Sequence, residues 1–169
     1  MTSIAAQLEE ARAGGATAED VATIAGALLG DPALVAPEVA TPERALAAAA
    51  GAWGAMDAEA SRAWQRYPSL QSTGVHGGEA DPRAAQLFST LTYLRGAGFY
   101  TPEELATRAT ESANSARWAA REAVRLQATL VALSSLVAAL DSREVEPAAY
   151  PEAVSGLAHR FAGFHIAAD

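Results

Sequence analysis

Residues 102–140 constrain this chain more than any other stretch. In "PEELATRATESANSARWAAREAVRLQATLVALSSLVAAL", Ala119, Ala123, Leu126, Leu130, Leu133, Val137 and Leu140 recur at intervals of three and four. That period places them on one stripe of an α-helix. At ~1.5 Å per residue the whole stretch would span about 58 Å. A compact domain of this chain's length has a diameter near ~40 Å. The helix therefore either breaks or reaches beyond its own domain onto another chain. "ESANSA", 111–116, is the weak point, because Ser and Asn side chains compete for backbone hydrogen bonds. A restart there would bring Arg117 towards the positive end of a new helix, which is unfavourable. The expectation is a continuous helix at the centre of an all-α, single-domain bundle of about six helices, with residues 1–169 as one domain.

The other helices are marked by their starts and stops. A cap residue followed by Pro recurs in "TPER" at 41, "DPRA" at 81 and "TPEE" at 101. Pro suits the first helical position because its missing N–H would have no partner there. In "YTPEEL", Thr101 and Glu104 predict a capping box, with Tyr100 stapled onto Leu105. The predicted helices run 4–13, ended by Gly14–Gly15, then 18–29, ended by Gly30, then 42–66, 82–96, 102–140 and 151–166. A short turn is expected at 31–36. Leu46, Ala49, Trp53, Ala60 and Trp64 fall at helical spacing within 42–66, a stripe that reads as core. Alanine runs such as "ALAAAAGAWGAM" support helix throughout, and sparse β-branched residues give strands little support.

Composition excludes several chemistries. Lysine is absent and all 12 basic residues are arginine, so no Walker-type lysine and no Schiff-base lysine can be built from this chain. Cysteine is absent, which removes disulfides, thiolate nucleophiles, thiolate zinc sites and iron–sulfur clusters. No cofactor is expected, and no metal: His159 and His165 lie six apart, about 120° around a helix, and neither HExxH nor ExxH occurs. The Ala, Gly and Arg bias resembles the product of a GC-rich bacterial genome.

The N-terminus lacks a basic segment followed by an apolar run, so no signal peptide is read there. The most apolar stretch, Leu126–Leu140, falls short of the ~20 residues a membrane span needs. The expected location is the cytoplasm, with no membrane partner. The net charge is −8, with −7 of it carried by residues 1–82. Such a chain repels phosphate backbones. "AEDVATIAGALLG" at 18–30 has the outline of a first helix of a helix-turn-helix, but "DPALVAPEVA" offers nothing to read bases. Nucleic acid is not an expected partner.

Arg117, Arg121 and Arg125 stack on one helical face, roughly opposite the apolar stripe. Like charges at that spacing cost ~0.2–0.5 kcal/mol per pair unless something offsets them. Arg125 has Glu122 one turn back; Arg117 and Arg121 have no acid three or four residues away in either direction. Either tertiary contacts inside the chain neutralise them, or the stack with Trp118 receives an anion, since the guanidinium fork binds carboxylate, sulfate and phosphate in a bidentate way. Further along, the same face becomes Ala128, Ala132, Ser135 and Ala139. Small residues let another backbone approach closely, so these form a candidate interface. The loop "YPSLQSTGVHGGEADP", 67–82, places His76 near Glu79 and Asp81, a weak candidate for a general base.

No set of positions is specific enough to name a family. The reading that follows is a non-catalytic helical accessory subunit that assembles with itself or with a partner enzyme, in bacterial specialised metabolism. The alternative is a helical bundle that binds, or acts on, a small anionic ligand.

Overall fold

A computed structural model describes residues 3–35, 42–66 and 99–164. Among the described residues the regular structure is entirely helical. In chain order it comprises α1 (Ile4–Ala13), α2 (Ala18–Leu29), the single turn α3 (Pro32–Val35), α4 (Pro42–Arg66), α5 (Pro102–Ala109), α6 (Ala113–Asp141) and α7 (Tyr150–Ala162), with a 3₁₀ turn at Pro147–Ala149 before α7. The long α6 touches α1, α2, α4, α5 and α7, and packs most extensively on α4. The all-α architecture around a long central helix is thus as the periodicity implies. The predicted helix 82–96 and the loop carrying His76 lie outside the described residues.

The expected continuity of 102–140 is corrected. The chain leaves the helix at Thr110–Ser112 and restarts. Two hydroxyls make the break. Thr110 Oγ1 donates to the Thr107 carbonyl at 2.8 Å, and Ser112 Oγ caps the new helix by accepting from the Ser115 N–H at 3.2 Å. The dipole argument against a restart fails on distance. Arg117 is the fifth residue of α6, and the dipole's influence is largely spent within the first turn. A helix of 29 residues spans about 44 Å, which fits a domain of this size.

Other boundaries follow local chemistry. Thr17 and Asp20 form a reciprocal capping box at α2, as Thr101 and Glu104 do at α5. The helix predicted for 151–166 stops at Ala162, with Gly163 as its C-cap.

Alanine shapes the interior. Along α6 the predicted stripe is buried at Ala119, Ala123, Leu126, Leu133, Val137 and Leu140, with Leu130 half-buried. The opposite face is also buried at Ala128 and Ala132, so α6 is enclosed on two sides. Its apolar stretch, Ser115–Asp141, is long enough to cross a membrane by length and composition alone, but 72% of the apolar window is buried inside the bundle. That is the pattern of a core helix. On α4, Ala49 and Trp53 are buried and Leu46 packs at the core's edge. The Trp53 indole N–H donates to the Tyr100 carbonyl at 3.0 Å, so a bulky core side chain also anchors the entry to α5.

Candidate functional site

The three stacked arginines have three different environments. Arg117 is exposed, Arg121 is half-buried and Arg125 is buried. Arg125 is held from three sides. One terminal nitrogen pairs with the Glu122 carboxylate, and the other donates to the Ala162 carbonyl at the end of α7 at 3.0 Å. Its guanidinium carbon lies 4.7 Å from the centre of the Phe99 ring. Burial pushes the Glu122 carboxyl above its ordinary value, and the charge and hydrogen bond of Arg125 pull it back only in part. Neither Arg117 nor Arg121 is without a partner in the molecule. At Arg125 the repulsion in the stack is relieved inside the chain, and this guanidinium has no fork to offer a ligand.

The small-residue face is likewise used internally over most of its length. Ala128 and Ala132 are fully buried, and Ser135 Oγ donates to the Ala16 carbonyl at 3.4 Å, where the chain passes from α1 to α2. Only Ala139 stays partly open. Trp118 is half-buried and meets Tyr100 edge-to-face, with ring centres 4.9 Å apart. The guanidinium of Arg108 stands over both rings, 5.2 Å from Tyr100 and 5.0 Å from Trp118. A cation so placed is attracted by the ring quadrupoles. Arg108 therefore already occupies the aromatic surface that sequence reasoning assigned to binding. No local spacing announces this contact, because Arg108 and Trp118 meet only across the break at 110–112.

Ala139 leads to a feature the sequence did not announce. An open cleft of about 470 Å³ lies between the start of α2, the C-terminal part of α6 and α7. Leu136, Val145, Ala153 and Leu157 form its apolar wall, with Thr17, Glu19 and Glu144 on its polar side. A smaller depression of about 230 Å³ continues past Thr17, Ala139 and Glu144 towards Arg12 and Ser142.

Two helix ends frame this surface. At the end of α1, Gly15 adopts φ 101°, the Gly15 N–H bonds to the Arg12 carbonyl and the Ala16 N–H to the Ala11 carbonyl. At the end of α6, Arg143 adopts φ 67°, the Arg143 N–H bonds to Leu140 and the Glu144 N–H to Ala139. Both are Schellman motifs, in which a left-handed residue lets two N–H groups reach back to otherwise orphaned carbonyls. The second motif places Glu144 and Val145 on the cleft.

The far wall is clasped shut. Arg160 on α7 pairs with Glu19 and donates to Thr23 Oγ1 at 2.7 Å, both on α2. Arg12 pairs with Glu9 at 2.7 Å. Two of the charged residues lining this surface, Glu19 and Arg12, are thus paired within the chain. Glu144 is exposed and makes no ion pair among the described residues.

His159 is exposed, with Nδ1 2.8 Å from the Ser155 carbonyl, and His165 lies outside the described residues. Among the described residues no three His, Asp or Glu side chains gather in a group that could hold a metal ion. Comparison with protein-family models, curated proteins and solved structures found no match.

Proposed function

We infer that this chain is a non-catalytic helical accessory protein of the cytoplasm that binds a protein partner through the cleft between α2, α6 and α7. The observation that carries this reading is the cleft itself. Its volume lies within the ~300–1,000 Å³ of clefts that seat a small group, large enough for one or two partner side chains, and it is largely apolar and open. A partner side chain seated against Leu136, Val145 and Leu157 would be removed from water there, the dominant favourable term in association. An anionic small ligand matches this surface less well. Arg125 is spent on Glu122 and Ala162, and the polar side of the cleft carries carboxylates.

Gly156 provides a clean test. It is exposed on the cleft side of α7, and a Cβ added there would meet nothing within 4 Å. Gly156→Trp introduces an indole at the cleft from a backbone position where the Cβ itself displaces nothing. The chain is co-expressed with the products of genes beside its own, and complexes are followed by size-exclusion light scattering. The wild type should form a complex with one of them. Gly156→Trp should keep its helicity and melting temperature and run alone. A wild type that stays monomeric beside every such product, or a Gly156→Trp variant that still assembles, overturns the reading.

A further inference from the structure

We propose that the partner segment seated in this cleft carries an apolar anchor next to a basic side chain, lysine or arginine, which faces Glu144. This rests on the cleft being the partner site and specifies its chemistry.

Charge supplies the first argument. Of the charged side chains that line the cleft and its continuation, Glu19 is paired with Arg160 and Arg12 with Glu9, while Arg143, next to Glu144, is not part of the lining and has a contact of its own within the molecule. Glu144 is the surplus charge on the rim, and it is negative. An incoming carboxylate would be desolvated against a like charge, whereas an ammonium or guanidinium would find a counter-ion already in place. The net charge of −8 adds a general attraction for a basic partner.

Glycine usage supplies the second. A glycine inside a helix costs ~0.5–1 kcal/mol relative to alanine. At Gly26 in α2 a Cβ would stand 3.2 Å from the Phe164 ring, so a neighbour inside the molecule keeps the residue small. At Gly156 in α7, as at Gly51 and Gly54 in α4, nothing lies within 4 Å of the missing Cβ, but Gly156 alone of these three lines the cleft. The lowered wall gains meaning when an occupant from outside approaches closely.

Two capped tripeptides serve as probes, acetyl-Leu-Ala-Arg-amide and acetyl-Leu-Ala-Glu-amide, titrated into methyl-labelled full-length protein. The arginine probe should shift the methyl signals of Leu136, Val145 and Leu157. It should bind about 5-fold more tightly than the glutamate probe at low ionic strength, as an exposed ion pair worth up to ~1 kcal/mol allows. High salt should narrow that ratio. Glu144→Gln should bring the two probes level, and Gly156→Trp should abolish the shifts from both. Equal affinities of the two probes for the wild type overturn the charge assignment and leave the docking reading standing. No shift from either probe at ~10 mM, about tenfold above a Kd of ~1 mM, overturns both.

Discussion

Arg143 stands at the end of α6 where Gly15 stands at the end of α1. Both residues take a left-handed backbone, at φ 67° and φ 101°, and both close a Schellman motif. Glycine adopts this conformation without strain, whereas a residue with a Cβ incurs roughly 1–2 kcal/mol. Arg143→Gly should therefore stabilise the protein by about 1 kcal/mol, less the loss of whatever the Arg143 side chain contributes. For a chain of this length that raises the melting temperature by ~2–4 °C. Differential scanning calorimetry checks it. A fall in melting temperature would mean that the side chain's own contact within the chain outweighs the backbone strain.

The contrast between these helix ends also shows what could be read from the chain. Gly14–Gly15 and "TPEE" announce their boundaries, because the backbone chemistry of a stop or a cap is carried by the residues at that position. The break at 110–112 is legible as a weak point in "ESANSA", and the placement of Arg117 does not oppose it. Its fifth position in α6 puts it beyond the first turn. The cleft was not legible. Its walls come from residues 17–19, 136–139, 144–145 and 153–157, and no local period reveals the gap left when four such segments meet. The turn that delivers Glu144 uses arginine where sequence rules look for glycine. The stacked arginines were found, but their repulsion could not be weighed without seeing Phe99 and Ala162 close around Arg125.

Helical glycines should divide by their surroundings. Gly51 and Gly54 are exposed within α4, and a Cβ on either meets nothing within 4 Å. Gly51→Ala and Gly54→Ala should each stabilise by ~0.5–1 kcal/mol through lower backbone entropy in the unfolded chain. Gly26→Ala should fail to gain this, because its Cβ would lie 3.2 Å and 3.3 Å from two ring carbons of Phe164. In a Phe164→Leu background the Gly26→Ala gain should return. Urea denaturation of the double-mutant cycle measures the coupling. Additive effects would show that the ring moves aside freely.

The Glu122–Arg125 pair should behave as a buried ion pair whose halves cannot be separated. Both side chains are about nine-tenths buried, and Arg125 Nε has no hydrogen-bond partner. Glu122→Leu removes the hydrogen-bond acceptor of Arg125 together with the counter-charge, and breaking a buried pair in this way costs ~3–5 kcal/mol, whereas a protonated Glu122 still accepts the Arg125 N–H. Glu122→Leu should lose stability on that scale. Replacing both, as Glu122→Leu with Arg125→Met, should recover most of the loss, since a buried pair gains little over well-packed apolar residues. Equilibrium urea unfolding of the three proteins decides it. A double variant as unstable as the single one would mean that the Arg125 contacts to Ala162 and Phe99 matter more than its charge balance.

Acid titration should reveal two carboxylates working in opposite senses. Asp141 joins α6 to α4, accepting from Arg66 at 2.7 Å and Arg62 at 3.0 Å. Partial burial pulls its carboxyl upward, but the hydrogen bonds from Arg66 and Arg62 outweigh that and hold it below its ordinary value of 3.8. A depressed carboxylate contributes stability that is complete above the unfolded-state pKa and disappears as the pH falls through the folded one. Glu122 is the reverse. Burial raises it above its ordinary 4.5, so the folded state takes up its proton before the unfolded state does. Its contribution therefore grows as the pH falls towards that ordinary value. The wild type should gain a little stability in mild acid and then lose it below about pH 4, as the Asp141 contribution fades. Asp141→Asn should run below the wild type, and parallel to it, from neutral pH to about pH 4, then converge with it as the pH falls further. Urea midpoints measured across this range test the assignment. A gap between the two proteins that does not change with pH would show that Asp141 acts through packing and not through its charge.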